Sequence, residues 1–239
     1  MTQRVHKRNR ERSELKLPVS VQCRETPEFE WSEITRLIDV SLFGAGFIIK
    51  RPTERGRLLH LTIPMPRPLR VFDHVEDQYK IWGLVRYAFP NVSAEDKKTP
   101  CFEVGVAFVG KDPPPSYQYD PACRYEIAGP IRENTMEVAR HDSVHPLEAS
   151  TWRSHARHSI PVTMLLEVFS ENGEVNHSEN TVTENISRKG ATFYSSLDVP
   201  AGRFIRLTST DYNLGVHAVV RDRSKGSTGM PRLHVEFMD

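Results

Sequence analysis

The chain has 239 residues, enough for one large domain or for two of ordinary size. Hydrophobic residues make up 38% and charged residues 26%, a balance that is typical of folded globular proteins and argues against a disordered chain. The formal net charge is only +1, so no global field recruits nucleic acid or an anionic membrane, and any anion site must come from local clustering.

The start of the chain and its cysteines indicate the compartment. No apolar run follows the first basic residues, so we expect no signal peptide. No stretch approaches the roughly 18 consecutive apolar residues of a membrane span, so we expect no membrane insertion. The three cysteines are an odd number without C-x-x-C spacing, which argues against a disulfide framework or zinc site and favours a reducing cytoplasm. Cys23 and Cys101 fall in predicted strands, where a buried cysteine acts as a small hydrophobe.

Each half of the chain predicts six short strands separated by turn signals. In the first half they are 18–24, 35–39, 46–50, 58–63, 79–89 and 102–109. In the second half they are 160–169, 181–186, 191–194, 204–208, 216–221 and 233–237. Short strands at regular spacing favour a small barrel, which leaves no open sheet edge. We therefore predict an all-β protein with two small six-stranded β-barrels.

A segment that begins with three consecutive prolines separates the two halves. Pro113-Pro114-Pro115 cannot continue a sheet, so the first domain is expected to end there. Pro130–His141 has weak helical character, with Pro130 suited to a first turn. We divide the chain into a first domain at 1–112, a partly ordered linker at 113–150 and a second domain at 151–239.

A two-part pattern occurs twice, as R-x-x-x-R followed by [D/N]-x-S-x-x-G. The first copy comprises Arg8, Arg12, Asp39, Ser41 and Gly44, and the second comprises Arg153, Arg157, Asn185, Ser187 and Gly190. The arginine pair and the turn are 27 positions apart in the first copy and 28 in the second, which suggests one structural unit built twice. Arg12 lies six positions before Pro18 but Arg157 only four before Pro161, so the second arginine loop is expected to be shorter.

These motifs, with a final V-x-F-type strand in each half, resemble the PilZ family, the bacterial receptors for cyclic di-GMP. The resemblance covers most of the chain except the linker. It implies that an arginine segment ahead of each barrel and the turn on the barrel surface together clasp the dinucleotide, so that the ten motif residues are the expected ligand contacts. It also implies a downstream protein partner, and no cofactor besides the ligand. Lys7 and Trp152, which precede the arginine pairs, can influence whether one ligand or a stacked pair binds.

The chemistry of the motifs fits such a ligand. A guanidinium grips phosphate bidentately, pairs with guanine O6 and N7, or stacks on a base. An Asp or Asn side chain accepts from guanine N–H groups or from local backbone, a serine hydroxyl does either, and glycine allows close approach. Each motif alone also has an ordinary explanation: a solvated basic face for the arginines and a self-capped hairpin for the turn.

Other functions receive less support. No G-x-S-x-G elbow, P-loop or H-E-x-x-H occurs, so we predict a receptor and not an enzyme. His141, His145, His155 and His158 could hold a metal, but solvated histidines are the default interpretation. A nucleic-acid-binding barrel is disfavoured by the near-neutral charge, so we expect no nucleic-acid partner. The alternative that remains is a PilZ-like protein-interaction adaptor with one or both nucleotide sites silent.

Overall fold

A computed structural model of the protein describes residues 16–91, 100–132, 135–141, 156–225 and 229–238. Within them the chain is almost entirely β-structure, with single 3-10 turns at Arg67–Leu69 and Pro115–Gln118. The predicted all-β class with two six-stranded barrels is confirmed.

The first barrel is one antiparallel sheet closed on itself. Its strands are β1 (Pro18–Thr26), β2 (Phe29–Ser41), β3 (Gly44–Ile49), β4 (Leu58–Ile63), β5 (Tyr79–Asn91) and β6 (Cys101–Gly110). They follow the order β3-β2-β1-β4-β5-β6, and β3 pairs with β6 to close the barrel. Alternate side chains of each strand fill the interior, among them Val21, Phe47 and Leu61, which are fully buried. Burial of each such side chain stabilises the barrel by about 1.5–3 kcal/mol.

A hairpin follows the first barrel and packs on it. Its strands are β7 (Tyr125–Arg132) and β8 (Thr135–Arg140), and β8 joins the sheet where Thr135 lies opposite Gly110. Tyr117, Cys123 and Tyr125 bury their side chains against first-barrel residues in a second, smaller apolar cluster. Part of the segment predicted as a linker is therefore ordered against the first barrel.

The weak helical prediction over Pro130–His141 is wrong. Exposure alternates along β8 with a period of two, which is the pattern of a half-buried strand. Pro130 lies within β7, the outermost strand of the sheet. The pairing of β7 with β8 is irregular between Ile127 and Ile131, so an edge strand accommodates Pro130 there.

The second barrel repeats the first. Its strands are β9 (Thr163–Phe169), β10 (Val175–Ser187), β11 (Gly190–Tyr194), β12 (Phe204–Ser209), β13 (Leu214–Lys225) and β14 (Pro231–Phe237). They close in the order β10-β11-β14-β13-β12-β9. Replacing β1–β6 with β9–β14 converts one strand order into the other, so both halves have one topology.

The two barrels contact each other through buried charged groups. The carboxylate of Glu25, from the first barrel, is 3.3 Å from the Arg203 guanidinium of the second and 3.4 Å from Arg51. Arg221 of the second barrel forms a bidentate pair with Glu54, with N–O distances of 3.0 and 2.5 Å. Two ion pairs, Glu25–Arg203 and Glu54–Arg221, therefore join the barrels directly.

Candidate functional site

The two predicted turns are the β2–β3 and β10–β11 hairpins, and they are built alike. The Ser41 hydroxyl donates to the Gly44 carbonyl oxygen at 3.3 Å and accepts from the Phe43 N–H at 3.3 Å. The Ser187 hydroxyl donates to the Gly190 carbonyl oxygen at 3.0 Å and accepts from the Lys189 N–H at 3.4 Å. In both turns the serine therefore caps its own hairpin.

Both glycines are required by close backbone packing. A Cβ on Gly44 would lie 2.3 Å from the Val106 carbonyl oxygen, and one on Gly190 would lie 2.1 Å from that of Val235. No side chain fits at such distances. The hairpins are thus pressed onto β6 and β14, where the Phe108 N–H donates to the Phe43 carbonyl oxygen and the Phe237 N–H to that of Lys189, both at 2.8 Å.

Asp39 and Asn185 occupy matching positions just before the turns. A bulge interrupts the pairing at residue 38 in the first barrel and at residue 184 in the second, between Leu37 and Asp39 and between Thr183 and Asn185. Bulges redirect side chains. Within the described residues, the buried Oδ1 atom of Asn185 has no hydrogen-bond partner. An unpaired buried acceptor costs about 1–3 kcal/mol, which a ligand donor would relieve.

The segment that carries Arg157 runs beside the second turn. His158 pairs with Ile186, donating its N–H to the Ile186 carbonyl oxygen at 2.8 Å and accepting the Ile186 N–H at 2.9 Å. Ile186 lies between Asn185 and Ser187 in the chain, and the Arg157 side chain is exposed. The structure therefore brings Arg157 into the neighbourhood of the turn motif. Arg8, Arg12 and Arg153 lie outside the described residues.

The expected shortening of the second arginine loop is wrong. Pro18 pairs with Arg36, three residues before Asp39, and Thr163 pairs with Val182, three residues before Asn185. Thr163, and not Pro161, is therefore the counterpart of Pro18. Arg12 lies six positions before Pro18, and Arg157 lies six positions before Thr163. The two prolines are not equivalent, because Pro161 precedes β9 while Pro18 begins β1.

The two turns differ in charge. Leu42 and Phe43 separate Ser41 from Gly44, whereas Arg188 and Lys189 separate Ser187 from Gly190. Leu42, Arg188 and Lys189 are exposed. The second turn therefore adds two cationic side chains to Arg157, while the first adds apolar surface.

Cross-strand pairing links Asp39 and Asn185 to rows of residues on the barrel wall that sequence reasoning missed. In the first barrel Asp39 pairs with Gly46, Gly46 with Gly105 and Gly105 with Tyr87. In the second barrel the corresponding row is Asn185, Thr192, His234 and Asp222. The His234 ring is held between the Thr192 hydroxyl at 3.2 Å and the Ser224 hydroxyl at 2.7 Å. Only cross-strand register joins these residues, so no local pattern could have found them.

Comparison with known families identifies the second barrel. Residues 152–239 match the family model described as PilZ domain. The second barrel is a PilZ domain. The first barrel has the strand order of this PilZ domain, a [D/N]-x-S-x-x-G hairpin in the same place and the same bulge before it. No curated protein matches the chain.

Several solved structures resemble the whole chain weakly. MotI/DgrA, an inhibitor of motility from Bacillus subtilis, is 12% identical over 95% of this chain and 89% of its own, with a TM-score of 0.30. PlzA of Borreliella burgdorferi in complex with c-di-GMP is 9% identical over 95% and 86%, with a TM-score of 0.29. YcgR of Escherichia coli in complex with c-di-GMP is 11% identical over 94% and 76%, with a TM-score of 0.30. Scores this low carry no argument about the function of this protein.

Other features complete the picture of the described residues. They contain no group of three or more His, Cys, Asp and Glu side chains that could hold a metal ion, and His145 and His155 lie outside them. Neither 3-10 turn is long or apolar enough to cross a membrane. No disulfide joins the described cysteines, and burial raises the pKa of Cys23 to about 12, so that its reactive thiolate does not form at neutral pH.

Proposed function

We propose that the protein is a bacterial cyclic di-GMP receptor in which each barrel binds the dinucleotide through its arginine segment and its turn. The observation that carries the proposal is the pairing of His158 with Ile186. This pairing sets the segment of Arg157 against the strand of Asn185, whose buried Oδ1 atom has no partner among the described residues. A guanine N–H supplies the missing donor, and a guanidinium supplies the phosphate contact.

The proposed roles are the same in the two barrels, because the motif occurs in both. Arg153 and Arg157 contact phosphate or guanine, Asn185 accepts from the base, and Ser187 and Gly190 shape the turn. In the first barrel Arg8, Arg12, Asp39, Ser41 and Gly44 have the same roles. Because only the second turn carries Arg188 and Lys189, the second site is the tighter one.

Binding is proposed to change the contact between the barrels. An arginine segment and its turn share one ligand only when the segment lies against its barrel, so binding favours that arrangement. Lys189 lies in the second turn and also borders the first barrel, so a ligand at this turn alters the interface directly. A downstream cytoplasmic protein would read the altered surface. The division into domains at 1–112 and 151–239 with a linker at 113–150 belongs to this proposal.

The test is isothermal titration of cyclic di-GMP into the wild type and into Arg8→Ala/Arg12→Ala and Arg153→Ala/Arg157→Ala variants. Each pair should lose its own site, because removing one charge-assisted contact costs about 2–5 kcal/mol. The matched control is Arg36→Ala/Arg67→Ala, which removes two exposed arginines outside both motifs and should leave binding unchanged.

Each outcome has a distinct meaning. Loss in only one variant leaves the other barrel as a scaffold. Unchanged affinity in both variants would show that the site assignment is wrong. No binding to the wild type would favour the adaptor function, in which the barrels recognise protein alone.

A further inference from the structure

A cleft of about 320 Å³ lies between the barrels, beside the second turn. Its first wall is formed by Arg55, Arg86, Tyr87 and Phe89 of the first barrel, and Lys189 lies on the opposite side. Small-molecule sites have volumes of about 300–1,000 Å³. The cleft is therefore at the small end of this range and has room for about one nucleotide unit.

Two aromatic rings lie stacked on each other in this cleft. The Tyr87 and Phe89 rings are stacked, with centroids 5.5 Å apart and an interplanar angle of 19°. Phe89 is 59% exposed, so a face of its ring is accessible to a ligand. Gly105 leaves room for the Tyr87 ring, since a Cβ there would lie 2.2 Å from a ring carbon. Such a pre-positioned aromatic face is suited to stacking on a nucleobase.

The lining of the cleft is cationic. Both of its carboxylates, Glu54 and Glu236, are bound by Arg221, at 2.5 Å and 2.7 Å respectively. Within the described residues, Arg55 and Arg86 have no ion-pair partner. Against the two carboxylates, the lining carries four cationic side chains, Arg55, Arg86, Arg124 and Lys189, of which Arg124 lies 3.7 Å from Glu236. This excess of positive charge favours an anion next to the aromatic face.

The aromatic surface belongs to the first barrel only. Tyr87 and Phe89 pair with Gly105 and Glu103, and the corresponding positions of the second barrel are Asp222 and Ser224. The cleft is thus not a feature of the repeated unit, and it exists only where the two barrels meet.

We propose that this cleft binds one purine nucleotide unit, with its base on Phe89 and Tyr87 and its phosphate on Arg55 and Arg86. Tyr87 is three strand spacings from Asp39, about 14 Å along the sheet at about 4.8 Å per strand, so the cleft is separate from the first turn site. The unit is either a free mononucleotide or half of a cyclic dinucleotide. The proposal does not rest on the proposed function, because its four contact residues, Arg55, Arg86, Tyr87 and Phe89, lie outside both motifs.

The test is saturation-transfer difference NMR with GMP and, separately, with cyclic di-GMP. The cleft variant is Arg86→Gln/Phe89→Leu, whose two side chains are exposed, so that the fold is retained. The matched control, Arg36→Gln/Tyr119→Leu, changes an exposed arginine and an aromatic residue that is 82% exposed, both outside the cleft. We expect the Kd for at least one probe to rise tenfold or more in the cleft variant and to stay unchanged in the control.

The two probes identify the source of the nucleotide unit. A rise with GMP indicates a free mononucleotide, and a rise with cyclic di-GMP alone indicates half of the dinucleotide. The proposal is overturned if neither probe binds the wild type, if both bind the cleft variant as well as the wild type, or if the control loses as much. The Arg153→Ala/Arg157→Ala variant separates the two proposals: unchanged cyclic di-GMP affinity there contradicts the second turn site and leaves the cleft result standing.

Discussion

Glu25 of the first barrel and Arg203 of the second form an ion pair 3.3 Å apart, with side chains that are 0% and 7% exposed. The same carboxylate accepts the Trp31 indole N–H at 2.9 Å, and the backbone N–H of Phe204 lies 3.4 Å from it. Burial lowers the pKa of Arg203, and the Glu25 carboxylate opposes this shift. A buried charge is tolerated only while it keeps its partner, so each barrel depends on the other at this contact.

Neutralising Glu25 should therefore separate the barrels. Glu25→Gln keeps the shape of the side chain but leaves Arg51 and Arg203 without their counter-charge, so we expect a loss of about 3–5 kcal/mol in the free energy of unfolding. The control is Asp77→Asn, in an exposed pair with Arg67 whose side chains are 100% and 58% exposed, where about 1 kcal/mol or less should be lost. Urea unfolding followed by tryptophan fluorescence measures both. Equal losses in the two variants would contradict the importance assigned to this contact.

Gly190 is expected to be essential for the fold of the second turn. In Gly190→Ala the added Cβ would meet the Val235 carbonyl oxygen at 2.1 Å, so β11 must move away from β14, at a cost of about 1–3 kcal/mol. The control is Gly215→Ala, because nothing lies within 4 Å of a Cβ at Gly215. Its stability should change by no more than about 0.5 kcal/mol. Thermal unfolding compares the two, and a stable Gly190→Ala protein would show that the hairpin yields more easily than its packing indicates.

Asn185 should contribute to ligand affinity through its Oδ1 acceptor. Asn185→Leu removes this acceptor, and we expect the Kd for cyclic di-GMP to rise by a factor that corresponds to about 1–3 kcal/mol. Asn185→Asp restores the residue type of Asp39 and should bind within a few-fold of the wild type. The control is Asn180→Leu, an exposed position on the same strand β10. Isothermal titration gives the four constants, and equal affinity of the Asn185→Leu variant and the wild type would remove Asn185 from the site.

The barrels could be predicted because the sequence patterns that specify their strands and turns lie within short stretches of the chain. Alternating side chains and turn residues located all twelve barrel strands, and the repeated motif indicated that one unit occurs twice. The structure extends some strands by several residues, as in β10, which begins at Val175 and not at Thr181. Apart from Val175, these added residues are polar, and most are exposed, so no alternating apolar pattern marked them as a strand.

The rest of the structure depends on contacts between residues far apart in the chain. Glu25 and Arg203 are separated by most of the first barrel, the connecting segment and three strands of the second barrel, and nothing in the sequence near either residue predicts their pairing. The row from Asp39 to Tyr87 crosses four strands, so it can be recognised only when the register between these strands is known. The hairpin of β7 and β8 was missed because a proline at an edge strand resembles one at the start of a helix.

His217 should make the stability of the protein depend on pH. Its ring contacts Phe102 of the first barrel at 5.1 Å, and burial, with the nearby Arg206 charge, lowers its pKa to about 4, although Glu167 opposes this shift. In the unfolded chain the pKa is about 6.5, so the unfolded state gains a proton first as the pH falls. Above pH 6.5 the ring is neutral in both states, so His217 does not change the free energy of unfolding. Between about pH 6.5 and 4 the free energy of unfolding falls by at most about 3 kcal/mol, because only the unfolded state binds the proton.

The His217→Gln variant should lack this pH-dependent loss of stability, whereas His177→Gln, an exposed control, should keep it. Urea unfolding at several pH values measures the difference between wild type and variant, and a difference that stays constant from pH 7 to 4.5 would contradict the buried, neutral state of His217.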